Sequence, residues 1–149
     1  MEEIFRTIFT ACKALSWLKQ ISAEEGQLEA IDQEGQFKPV VLLPCLLIDA
    51  QITQWEAGDL NTQSGAATIV TRFAYRKTTD QSNLSGIDLF NASLVALKNR
   101  SLIESAIANA PALAGVHGRI SRMSTHREKR SDGFIVYQTT WMVSVDEIL

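Results

Sequence analysis

A chain of 149 residues with 46% hydrophobic residues, 21% charged residues and a formal net charge of −3 has the composition of one globular domain. That length buries roughly 68–70% of the unfolded surface, enough for a core without disulfides or a structural metal. The acidic balance argues against a general nucleic-acid binder, and the sequence offers no run of about 20 apolar residues to span a bilayer.

The opening residues Met1-Glu2-Glu3 are acidic where a secretion signal is basic, so the expectation is folding in a reducing cytoplasm. Residues 2–21 read as an amphipathic helix. Ile4, Phe5, Ile8, Phe9, Cys12, Leu15 and Leu18 recur at three- and four-residue steps, and Glu2 and Glu3 suit its positive N-terminal end. Residues 28–32 predict a short strand, followed by a turn at Glu34-Gly35-Gln36. Residues 37–52 are apolar on both alternating faces, as in a strand covered on both sides, with a bend or bulge at Pro44. Residues 53–64, polar around a single Trp55, predict a long connection, and such connections are often functional.

Residues 66–77 form a clearer strand, with Ala67, Ile69, Phe73 and Tyr75 on one parity, and pair with the preceding strand as a hairpin. Ser85 and Asp88 have the spacing of a capping box for a helix to about Asn99 that buries Leu89, Phe90, Leu94 and Leu97. A short helical continuation carries Leu102, Ile103, Ala106 and Ile107 and stops before Pro111. The last third predicts a second hairpin: an irregular basic strand over residues 116–126, a turn with Asp132-Gly133, and a strand over residues 134–145. The order α–β(–β)–β–α–β–β predicts one α+β domain spanning residues 1–149. It has an antiparallel sheet of four to five strands with two main helices on one face.

Chemistry-bearing patterns are weak. His117 and His126 lie nine residues apart on one strand and point to opposite faces if it is regular, so no metal site is expected. Cys12 and Cys45 sit in apolar patterns and read as buried free thiols rather than as nucleophiles or a disulfide. Gly115 and Gly118 precede a strand, where no helix N-terminus would meet a phosphate. The adjacent carboxylates Glu24-Glu25 and Asp146-Glu147 read as solvated. The cluster Arg119, Arg122, His126, Arg127, Lys129 and Arg130 lacks interleaved aromatic residues for base stacking. It reads as a guarded sheet edge, or as a charged face toward an acidic partner subunit. Trp55 is either tucked onto the hairpin or exposed as an interface anchor.

In chain order, an amphipathic helix at residues 15–21, Ile31-Asp32 with Gly35-Gln36, and Leu43-Pro44-Cys45-Leu46-Leu47-Ile48-Asp49 lead to Trp55 and Gln63-Ser64-Gly65. The strand over residues 67–73, the helix over 89–97 and the ending over 134–145 complete a pattern covering nearly the whole chain. This pattern resembles the phage tail terminator, or tail-completion, proteins among the minor tail proteins of prophages. Its individual motifs are short, and the likeness lies in their order. The resemblance implies a self-associating ring, a hexamer, that caps the tail tube and joins it to the head. It implies no catalysis and no cofactor. The partners implied are other copies of the chain, the tail-tube protein and head–tail connector proteins, with neither membrane nor specific nucleic acid. The implied place is the virion tail, after synthesis in a bacterial cytoplasm. On this reading Trp55, Asp59, Asn61 and Gln63 of one segment and Arg119, Arg122, Arg127 and Arg130 of the hairpin carry subunit or partner contacts. The alternatives are another head–tail connector or protein-interaction module, a small ligand binder or enzyme gathering Cys45, His117 and Asp49, and nucleic-acid binding through the arginine-rich hairpin.

Overall fold

The structure, a computed structural model, describes residues 2–57, 62–77, 87–110 and 116–148. Helix α1 (Glu2–Lys13) presents Ile4, Ile8 and Cys12 inward, as their spacing predicts. It ends earlier than the apolar stripe suggests. The Leu15 and Leu18 amides donate to the carbonyls three residues back, at 2.9 and 3.1 Å, and the chain then enters strand β1 (Gln20–Ala23). Leu15, Trp17, Leu18 and Ile21 still pack on the core, so the helical spacing of apolar residues outlives the helix.

The strand expected at residues 28–32 is replaced by a 3-10 turn (Gln27–Glu29) and a single bridge between Ile31 and Phe37. Gly35, with φ +78°, supplies the left-handed residue of the turn between them. Strand β2 (Cys45–Ala57) begins directly after Pro44, which has no N–H for a ladder, rather than at residue 37. It continues through the segment expected to be a polar connection, with a register shift between Ile52 and Gln54. Strand β3 (Thr62–Arg76) receives it, so Trp55 lies in a strand and not in a loop. The polar residues there are held in the sheet by backbone pairing, which does not depend on side-chain apolarity.

Helix α2 (Ile87–Ala108) is continuous where a helix and a separate continuation were expected. The capping residue Ser85 and the side chains of Leu89 and Phe90 lie outside the described residues. Strands β4 (Val116–Arg127) and β5 (Phe134–Ile148) form the second hairpin, with Gly133 at φ +81° in its turn. The sheet order is β1-β2-β3-β5-β4. Every pairing is antiparallel except β1 with β2, which is parallel, so the α+β fold holds but the sheet is mixed.

Alternation along the strands gives two faces. One carries Leu46, Ile48, Ala67, Ile69, Phe73, Trp141, Val143 and Val145, and both helices bury their apolar residues against it. α2 does so with Ile103 and Ile107, whereas Leu94 and Leu97, expected inside, are 48% and 41% exposed. Apolar residues surround this helix on all sides, and only contact with the sheet selects which of them are buried. At the centre, the Trp141 indole N–H donates to the Thr71 hydroxyl on the neighbouring strand at 3.0 Å. Thr71→Val keeps the shape but leaves that buried N–H without its acceptor, so the expected loss is about 1–3 kcal/mol. Urea unfolding with an unchanged m-value checks it, and adding Trp141→Phe to the Thr71→Val variant should recover part of the loss.

Candidate protein-interaction surface

The face of the sheet away from the helices is half covered, and charge decides where the cover lies. Arg72 lies near the C-terminal end of β3 with its side chain only 13% exposed. It makes a two-pronged contact with Glu128, at 2.7 and 2.9 Å, and also donates to Glu24 and Glu29. Arg130 donates to Glu29, Glu128, Asp132 and the Leu28 carbonyl. This network ties the segment after β1 and the β4–β5 turn onto the sheet. Beneath it Leu28, Cys45, Leu47, Ala74, Phe134 and Val136 form a second apolar cluster, joined by Val41 and Leu43. Glu24, expected to be solvated, is therefore an ion-pair partner.

The Arg72 hydrogen bond, opposed by burial and aided by Arg130, holds the Glu29 carboxyl down at about 2. Burial pushes Glu128 and Asp132 up, but the guanidinium hydrogen bonds outweigh it and both lie below their usual range. Depressed carboxyl values mean a contribution that is complete above the unfolded value near 4.5 and lost as pH falls toward 2. Amide exchange in residues 24–43 should therefore accelerate across that window. Arg72→Met should weaken the pH dependence, with Arg130 keeping part of it, and cost about 2–3 kcal/mol, below the figure for a fully buried pair because Glu29 is half exposed.

Beyond this strap that face carries exposed side chains. Gln51, Gln54 and Glu56 of β2 and Met142 and Ser144 of β5 are exposed there, with Met142 at 38%. Near the end of β2, Trp55 is 38% exposed and laid over Gly65 of β3. A Cβ at Gly65 would fall 2.7 Å from the Gln54 carbonyl oxygen and 2.9 Å from the indole ring, so glycine is what lets the tryptophan lie flat on the sheet. Trp55 is thus both tucked down and partly presented.

The expected contact residues fall into two groups on opposite sides of the sheet. Trp55 lies in β2 and Gln63 opposite its last residue in β3, while Asp59 and Asn61 lie outside the described residues. Arg119 has its backbone in β4. Arg122 is exposed and paired with Glu104 of α2, and Arg127 is exposed at the end of β4. Arg130, at 10% side-chain exposure, is held in the strap network by Glu29, Glu128 and Asp132.

The sequence reading missed a groove of about 560 Å³ between the strap, β3 and the first half of α2. Leu42, Leu43, Phe73, Val95 and Phe134 line it, with Lys19 and Arg76 also in its wall. Its only sequence signal was the surplus of apolar residues around α2. Beside it Arg100 lies 4.6 Å over the Tyr137 ring, and burial next to Tyr137 pushes the Tyr75 hydroxyl up to about 12.

Both cysteines are buried free thiols, and burial pushes Cys12 up to about 12 and Cys45 to about 11. A thiol reagent should label neither in the native protein and both after unfolding. Rapid native labelling of Cys45 would favour a catalytic cysteine. Among the described residues no group of three His, Cys, Asp or Glu side chains is placed to hold a metal, and no helix is long and apolar enough to cross a membrane. Comparison with known protein families and with curated protein sequences gives no match.

Proposed function

We propose that this protein is a structural subunit of a phage-type tail, of the terminator or tail-completion kind. Its copies close head to tail into a ring, a hexamer by the resemblance, that caps the tail tube and receives the head. The observation that supports this reading most directly is the exposed tryptophan Trp55 near the end of β2, beside a sheet face that carries exposed side chains and two sheet sides of different character among the described residues. A ring subunit needs two unlike surfaces for its neighbours and a third for the tube, because a head-to-tail contact closes only through complementary patches.

On this reading the acidic and aromatic end of β2 and the basic β4 side carry contacts between copies, and the face with the exposed Met142 is turned to the tube or head. No catalytic step or cofactor is needed for such a role. Native mass spectrometry across protein concentration, with negative-stain imaging of the same samples, should give closed rings of one size. A chain that stays monomeric at every concentration, and also with purified tail-tube protein from the same prophage, overturns the reading.

A further inference from the structure

The groove of about 560 Å³ at the C-terminal end of β3 takes its walls from three parts of the chain. Leu42 and Leu43 come from the strap, Phe73 and Phe134 from the sheet, and Val95 from α2. Its rim stays apolar on both sides: Leu42 is 65% exposed and Val95, facing it from the helix, is 56% exposed. A small apolar ligand sinks to the floor of such a groove and leaves the rim in water, whereas a protein segment covers floor and rim together.

Charge marks the same groove. Lys19 and Arg76 line it and no carboxylate does among the described residues, in a chain with 17 acidic residues against 14 basic ones. Both cations are exposed, and neither has a carboxylate partner among the described residues. The strap is the opposite case, since Arg72 and Arg130 are satisfied there by Glu24, Glu29, Glu128 and Asp132. The Arg76 guanidinium lies 5.8 Å from the centre of the Phe134 ring, which keeps it against the apolar wall. Tyr75 also lines the groove, and its hydroxyl, pushed up by burial, feels the positive charges of Arg127 and Arg100. The register spaces the two cations. Lys19 precedes Gln20, which stands opposite Cys45, and Cys45 stands opposite Ala74, two residues before Arg76. Their backbones are therefore about 10 Å apart, across two strand spacings.

We propose that this groove docks an acidic, apolar segment of a partner protein, with two carboxylates meeting Lys19 and Arg76 and the apolar side chains between them covering the floor. In extended chain that separation is about three residues. The apolar walls accept any hydrophobic segment, and two cations without carboxylates select one that brings its own. Groove and charges belong to a single chain, so the inference does not depend on the ring in the reading above.

The probes are capped, fluorescently labelled hexapeptides of leucine and phenylalanine with two glutamates at spacings of two, three or four residues. Each is run beside its glutamine and lysine counterparts. Binding is read by anisotropy with the wild-type chain and with the Lys19→Glu/Arg76→Glu double variant, whose fold is checked by near-UV circular dichroism. The expected result is a glutamate peptide that binds tenfold or more tighter than its glutamine and lysine counterparts, with an affinity that falls as salt rises. The double variant should reverse the preference toward lysine by a similar factor, and Val95→Gln should weaken the glutamate peptides several-fold. Absence of binding, equal binding of glutamate and lysine peptides, or a glutamate preference that survives charge reversal overturns the assignment. Sodium dodecanoate that binds the wild-type chain tighter than every peptide, and the double variant weakly, overturns the protein occupant in favour of a small amphiphilic acid. Native mass spectrometry of the same variants tests the ring separately, and rings of unchanged size leave that reading standing when the groove assignment fails.

Discussion

Arg72 is a charged residue near the C-terminal end of the central strand, on the face that the helices do not cover. A guanidinium held there at 13% exposure is costly unless its donors are satisfied, and Glu24 and Glu29 from one part of the chain and Glu128 from another satisfy them. Each of those carboxylates is brought in by a segment that also covers apolar surface: Leu28 beside Glu29, and Phe134 and Val136 after Glu128. The second layer of the domain is thus organised around one side chain. Arg130 extends the arrangement to Asp132 in the hairpin turn, joining the β4–β5 connection to the turn after β1.

That layer has a limited reach, and the limit shapes the surface. The strap covers the face near Cys45, Ala74 and Phe134 and stops there, while β2, β3 and β5 continue together beyond it. A flat, exposed sheet extension with a free edge invites pairing with other chains unless it is guarded or meant to be occupied. Here the β4 side carries charge and bulges, whereas the β2 side carries two carboxylates, a tryptophan flattened over glycine and, among the described residues, no strand beyond Ile48. This asymmetry gives the two sides of the sheet surfaces of different chemistry.

Helix α2 shows the same division between a fixed end and a presented one. Ile103 and Ile107 bind its second half to the core, and Glu104 reaches Arg122 and Thr125 on β4. Its first half keeps Leu94, Val95 and Leu97 exposed and forms a wall of the groove that Leu42 and Phe134 also line. Apolar residues left outside on a helix next to such a groove are a further surface for protein contact.

The sequence by itself determined the elements whose periodicity is carried by core residues. The inward stripe of α1, the alternation of β3 and β5, the Asp-Gly turn and the burial of both thiols were legible because each depends on neighbours in the chain. The tertiary structure decided what depends on partners distant in sequence. The polar residues around Trp55 became strand because β3 supplied their backbone partners, and residues 37–43 became a strap because the sheet beneath needed cover. Leu15 and Leu18 kept helical spacing outside any helix, and Arg130 left the basic cluster for an ion-pair network 101 residues away at Glu29. Hydrophobic period is a local property, but the pairing of backbone groups and buried charges is settled only when distant segments meet.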